Sequence, residues 1–371
     1  PYFHWVWMPT IDSQPQRQEW IIDFASCDAL LTYSEYGGRV LKEQAGDTIN
    51  YIGCASPGVN VDAYKPMPKR ELRESLGVDP DAFIVGTVMR NQKRKLFFEL
   101  MRAFRIFLDT APKEIADKSY LYLHTSYPER SGWDIPDGIM QNKLGGKVMM
   151  TYICKECNKF FPSVFKDALT KCNHCGQPSG LCPTVSLGVS TDDLAKIYNV
   201  FDLYAQYAIC EGFGMPMGEA AACGVPVAAI DYSAMEDVVR WTKGYPMKPL
   251  ALVREMETNA DRAVADNDLM AKTMIDFFSL SESERMAKSM EVRAATIARY
   301  NADDTAKVWA DYIDSYTPIN KQGKWDSPPN IQPIPDKCPN EDEMMNDAFV
   351  RWLFKDMMKT PELAYQWDGS K

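Results

Sequence analysis

The 371 residues are long enough for two domains, each with its own core. An apolar share of 46% beside 25% charged residues is that of an ordinary globular chain. The formal charge of −10 argues against a broad nucleic-acid footprint, which needs clustered Lys and Arg. No apolar run approaches the roughly 18 residues of a membrane span, and no basic-then-apolar leader opens the chain. Ten cysteines in such a chain fit a reducing, cytoplasmic setting better than a disulfide framework.

In chain order, residues 1–9, with Trp5, Val6 and Trp7, read as a buried strand entering a loop at Met8-Pro9-Thr10. Residues 14–26 are helical in character, and Cys27–Tyr33 is a short strand. Ser34 is the N-cap of a helix reaching about Ala45, and Tyr51–Cys54 is a further strand. The stretch 56–66 is turn-rich and marks a domain boundary, giving a first unit at 1–55 and a second at 56–315. The second unit opens with a buried strand at Phe83–Val88, a basic turn at 91–95 and a helix over 96–108. A strand at Ser119–His124 follows, and residues 125–185 then interrupt the rhythm. A helix at 192–198, strands at 203–206 and 225–230, and amphipathic helices at 260–278 and 282–300 complete it. Residues 316–340 are Pro-rich, and 341–358 read as a last helix striped by Met345, Phe349, Trp352 and Leu353. This alternation predicts an α/β chain with a mostly parallel sheet, whose ligands bind beyond the carboxyl ends of the strands.

Inside the interruption, at about 145–182, Cys154-Lys-Glu-Cys157 and Cys172-Asn-His-Cys175 form a CxxC…CxxC pair. Four thiolates turned onto one ion complete a tetrahedral zinc site with no open position, which predicts a folding role. His174, inside the second knuckle, and nearby Cys182 read as bystanders. A stapled insertion loop is the simpler reading of this ribbon. Lys155, Lys159, Lys166 and Lys171 keep a nucleic-acid contact open as the alternative.

The stretch Glu211-Gly-Phe-Gly-Met-Pro-Met-Gly-Glu219 reads as a strand end, a tight turn and a short helix. Gly212 and Gly214 admit a close approach of backbone to ligand, and Pro216 suits a first helical turn. Free amides at that helix start are a seat for phosphate. The flanking carboxylates then suggest a polyhydroxylated ligand joined to the phosphate. Arg90, Lys93, Arg94 and Lys95, at another strand's carboxyl end, are its cationic counterpart and remove the need for a divalent metal. His4 and Asp12 are the acid–base candidates of the front segment, although a lone His among aromatic residues equally reads as a core residue. His124, ending a strand, is either a ligand contact or structural.

The order of these segments resembles the retaining glycosyltransferases of the two-Rossmann-domain (GT-B) architecture, the large family 4 or group 1. The E-x7-E motif at Glu211–Glu219 carries the resemblance, with Ser56–Pro66, Gly86–Lys95, Gly188–Tyr198 and Asp231–Glu236 in support, across residues 1–315. It implies a complete C-terminal donor domain, a partial N-terminal domain and an inserted zinc ribbon. It also implies a nucleotide diphosphate sugar as donor (UDP-, GDP- or ADP-linked) and an acceptor left unidentified. Glu211 would face the sugar and Glu219 the ribose. Arg90 and Lys95 would hold the diphosphate, while Phe213, Gly214, Met215, Pro216 and Met217 would line sugar and phosphate. His4 would stand for the family's catalytic histidine. Replacing Glu211 or Arg90 by Ala should abolish transfer with the fold intact. The first domain of the family is longer than 1–55, so upstream chain or a partner polypeptide is expected to complete it. Two other readings are a partner-dependent nucleotide-sugar-binding subunit and a zinc-ribbon nucleic-acid module.

Overall fold

The computed structural model describes residues 4–316, so the helix expected at 341–358 lies outside the described residues. The chain begins with a small parallel sheet of β1 (Val6–Trp7), β2 (Ala29–Thr32) and β3 (Tyr51–Cys54), in that order. β1 enters the loop at Met8-Pro9 as expected but is shorter at its start and only half-buried, with Trp5 40% exposed before it. Between β2 and β3 the Ser34 hydroxyl accepts from the Gly37 amide at 3.1 Å and starts the helix Glu35–Ala45.

The connector after β3 runs beside the end of the helix Glu282–Tyr300, where the Val59 amide donates to the Tyr300 carbonyl at 2.6 Å. Gly58 turns here at φ +74°, and a Cβ on it would stand 2.6 Å from the Ala302 backbone. The helix Ala302–Ser315, which the sequence reading did not foresee, is capped by Asn301. It returns to the first sheet, where Tyr312 meets His4. The chain therefore crosses at 56–60 and crosses back at 300–302.

The large sheet is built from β4 (Phe83–Val88), β5 (Ser119–His124), β6 (Val148–Cys154), β7 (Phe160–Val164), β8 (Leu169–Thr170), β9 (Gly180–Leu181), β10 (Leu203–Gln206), β11 (Val227–Ile230) and β12 (Tyr245–Met247). Its order is β12-β11-β10-β4-β5-β6-β9-β8, with β7 also on β6. From β12 to β6 every pairing is parallel, as the near-continuous apolar runs of these strands predict. β6 has two characters: Val148–Met150 pairs parallel with β5, while its length also pairs antiparallel with β7 and, at Ile153–Cys154, with β9. The strand that delivers Cys154 is thus a strand of the core.

One expected helix is corrected. Residues 260–264 do not belong to it; they form β14 (Ala260–Val264), paired antiparallel with β13 (Ala251–Glu255). The segment, Ala-Asp-Arg-Ala-Val, is held as a strand by its five paired positions on β13 rather than by a period of its own. The helix starts at Asn267, where Asp266 accepts from the Leu269 amide at 2.9 Å. Among the described residues no helix is long and apolar enough to cross a membrane.

Candidate active site

β10 and β4 are neighbours, so the segments leaving their carboxyl ends meet. After β10 comes Glu211, and after β4 comes the basic turn. Lys95 and Glu211 are both buried, 6% and 7% exposed, and form a closed ion pair. Glu211 Oε1 also accepts from Gln206 Nε2 at 2.7 Å, and Arg94 stands 3.9 Å from Oε2. Burial first, then the Arg94 guanidinium, hold the Lys95 ammonium down from its ordinary value. Its cationic form therefore leans on the carboxylate against it. The Glu211 amide donates to Ser233 Oγ at 2.9 Å, and Ser233 keeps a left-handed φ of +56° while doing so. Such a conformation is uncommon for serine and is retained where surrounding structure over-determines it.

The turn itself follows the expected course. Gly214, at φ +90°, begins the helix Met215–Ala222 with no side chain capping it, and Pro216 lies in its first turn. Two lining residues face elsewhere, however. Phe213 is buried edge-on against Tyr300 at 5.5 Å, and Met217 is fully buried, so both side chains serve the core. Met215, 37% exposed, is on the surface of the turn. Glu219 is half-buried and accepts from the Tyr198 hydroxyl at 2.6 Å; burial pushes its carboxyl up from the usual range. At Gly212 the close approach is made by the chain itself: a Cβ there would stand 2.2 Å from Thr10 Cγ2.

Thr10 belongs to the loop that leaves the carboxyl end of β1, and this loop lies on the Glu211 turn. Asp12 approaches Cys210 Sγ at 3.3 Å and Arg262 at 3.4 Å, while Arg262 also binds Glu255 at 2.8 Å. His4 is not in this group. It precedes β1, at the other end of the strand, where it bonds the Tyr312 hydroxyl at 2.6 Å and stacks on Tyr316. The front segment thus brings Asp12, and not His4, to the Glu211 turn. The start and the finish of a strand lie at opposite ends of its sheet, which is the physical reason. His124 bonds Thr151 Oγ1 at 2.9 Å, and burial lowers its pKa to about 4.

Arg90 is 53% exposed at its side chain and lies 3.5 Å from Glu129, whose other oxygen accepts from Ser126 at 2.9 Å. Sequence reasoning missed Gln206, Ser233 and Glu129. Gln206 left a signal, being a polar residue closing a buried apolar strand; Ser233 lay inside the supporting stretch Asp231–Glu236 without being singled out, and Glu129 left none.

The four cysteines converge, with all sulfur atoms within 4.8 Å of one another. Cys154 and Cys175 are 3.5 Å apart, and Cys157 and Cys172 are 3.8 Å apart. Thiolates at about 2.3 Å from a tetrahedral zinc are separated by about 3.8 Å, so the set fits that ion. His174 bonds the Phe160 carbonyl at 3.1 Å, and Cys182 is buried outside the cluster with its thiol pushed up to about 12.

The crossing chain, the parallel sheet and the facing strand ends define a GT-B-like glycosyltransferase fold, and solved structures agree. A sucrose-phosphate synthase from Thermosynechococcus elongatus superposes with a TM-score of 0.60 at 17% identity, over 84% of this chain and 67% of that one. The Anabaena protein HepE, solved in complex with UDP and glucose, gives 0.59 at 15% identity, over 84% and 71%. In sequence, residues 184–274 match the model of the glycosyl transferases group 1 family. A D-inositol 3-phosphate glycosyltransferase from Rhodococcus erythropolis is 25% identical over 218 residues, 58% of this chain and 41% of that protein. One from Mycobacterium bovis is 24% identical over 60% of this chain and 38% of its own length. The chain thus spans about two fifths of the length of these curated relatives.

Proposed function

We propose that this chain carries the donor half of a retaining glycosyltransferase, moving a sugar from a nucleotide diphosphate sugar to an acceptor hydroxyl. The observation that carries the reading is the meeting of Lys95, Glu211 and the uncapped helix start at Gly214 beyond two adjacent parallel strands. The HepE complex with UDP and glucose, on a similar fold, supports the class of donor. In this reading Arg90 and Lys95 receive the diphosphate, Glu211 faces the sugar and Glu219 the ribose hydroxyls. The bond from the anomeric carbon to the distal phosphate oxygen breaks as the acceptor oxygen attacks the same face. The acceptor proton passes to the departing phosphate. No enzyme nucleophile is needed, and two cations meet the developing phosphate charge in place of a divalent ion. Lining by the turn is reduced to its backbone, Met215 and Pro216, since Phe213 and Met217 face inward.

Arg90 offers the cleaner test, because it is exposed and its partner Glu129 keeps the Ser126 hydroxyl as a hydrogen-bond donor when Arg90 is removed. Among UDP-, GDP- and ADP-sugars titrated calorimetrically, one is expected to bind. Arg90→Ala should weaken that binding by about tenfold or more. Absence of binding by all three, or equal affinity in the variant, overturns the reading.

A further inference from the structure

The four cysteines do more than close an insertion. β9 binds the end of β6 beside Cys154, and two residues later the Pro183 carbonyl accepts from the Tyr127 amide at 3.0 Å. The Tyr127 ring stands edge-on to Phe165, at the end of β7, with centroids 5.9 Å apart. Tyr127 lies in the loop after β5, and that loop is latched to the basic turn along its length. Trp133 and Asn91 exchange two hydrogen bonds, at 2.8 and 2.9 Å, and Trp133 Nε1 donates to the Gln92 carbonyl at 3.1 Å. Gly132 fits there because a Cβ would stand 2.6 Å from the Asn91 side chain. Between these latches Ser126 donates to Glu129, and Glu129 pairs with Arg90 at 3.5 Å. Strand pairing and hydrogen bonds thus join the cysteine cluster to the loop 126–133, and the ion pair of Glu129 carries the path on to Arg90.

We propose that the cysteine cluster is a positioning element of the donor site. By fixing β9 and Pro183 it fixes the loop 125–133, whose Glu129 aims Arg90 at the diphosphate. Glu129 is accordingly a positioning residue. The inference rests on the proposed role of Arg90, but its first readout does not.

The test is hydrogen–deuterium exchange of the zinc-loaded and chelator-stripped chain, read at residues 126–133 and paired with calorimetry. Stripping is expected to speed exchange there by about tenfold. It should weaken UDP, GDP or ADP, whichever binds, by about tenfold, and leave the matching nucleoside unaffected. Phe165→Ala with zinc retained should also speed exchange at 126–133, so the test stands even if stripping unfolds the chain. Glu129→Gln should weaken the diphosphate by a similar factor, and stripping should then add little. Unchanged exchange at 126–133 on stripping a chain that stays folded overturns the proposal, as does unchanged exchange there in Phe165→Ala. So does equal weakening of nucleoside and diphosphate, or full additivity of Glu129→Gln with stripping. If no nucleotide binds at all, the functional reading fails, while the exchange data still decide whether the cluster braces the loop.

Discussion

Lys95→Met is expected to destabilise the chain by about 3–5 kcal/mol, because it leaves the Glu211 carboxylate buried without its cation. Gln206 supplies one neutral hydrogen bond, and Arg94, at 3.9 Å and 43% exposed, is too far and too wet to replace the lysine. Adding Glu211→Gln should recover most of the loss, since removing both charges removes the need for either. Transfer should fall by about a thousandfold or more in the single and the double variant alike, as the site loses charge aimed at the leaving phosphate. Urea denaturation of both single variants and the double variant, beside a transfer assay, separates the two effects. A cost below about 1 kcal/mol for Lys95→Met would mean that the pair is not closed. The same geometry alters the expectation for Glu211→Ala, which should cost stability as well as activity. Arg90→Ala should cost activity alone.

Cys157→Ser should be the second large effect. It leaves three thiolates for an ion that prefers four, at a point where β6, β7 and β9 are held together. The melting temperature is expected to drop by about 10 °C or more, and metal analysis should fall from one zinc per chain toward none. The loss should begin at the knuckle, since β6 is parallel-paired to β5 through Val148–Met150 and belongs there to the core. An unchanged melting temperature with one zinc still bound would show that Cys157 is not a ligand.

Much of the sheet was legible because its strands are buried on both faces and carry their own signal. Phe83–Val88, Ser119–His124 and Leu203–Gln206 stand where their apolar runs put them. Ser34 and the cysteine spacing were legible for the same reason, a local rule with a local cause. The hairpin at 251–264 was not, because Leu252, Val253 and Val264 are exposed and neither strand alternates, so only Ala260 and Ala263 mark a buried face. The site was legible in its ends and not in its orientation. Spacing brought Glu211 and Lys95 to neighbouring strands, yet it could not show that they would bury each other. Nor could it show that Phe213 would turn toward Tyr300, or that Thr10 would occupy the space left by Gly212. His4 illustrates the limit most plainly, since residue type suggested chemistry while strand direction placed it against Tyr312.

The most direct measurement is a crystal structure with a nucleotide diphosphate sugar bound. The account predicts a diphosphate between Arg90, Lys95 and the Gly214 helix start, with Glu211 within hydrogen-bond distance of the sugar and Glu219 at the ribose. A donor bound elsewhere, or one that leaves Lys95 and Glu211 without ligand contact, would contradict it.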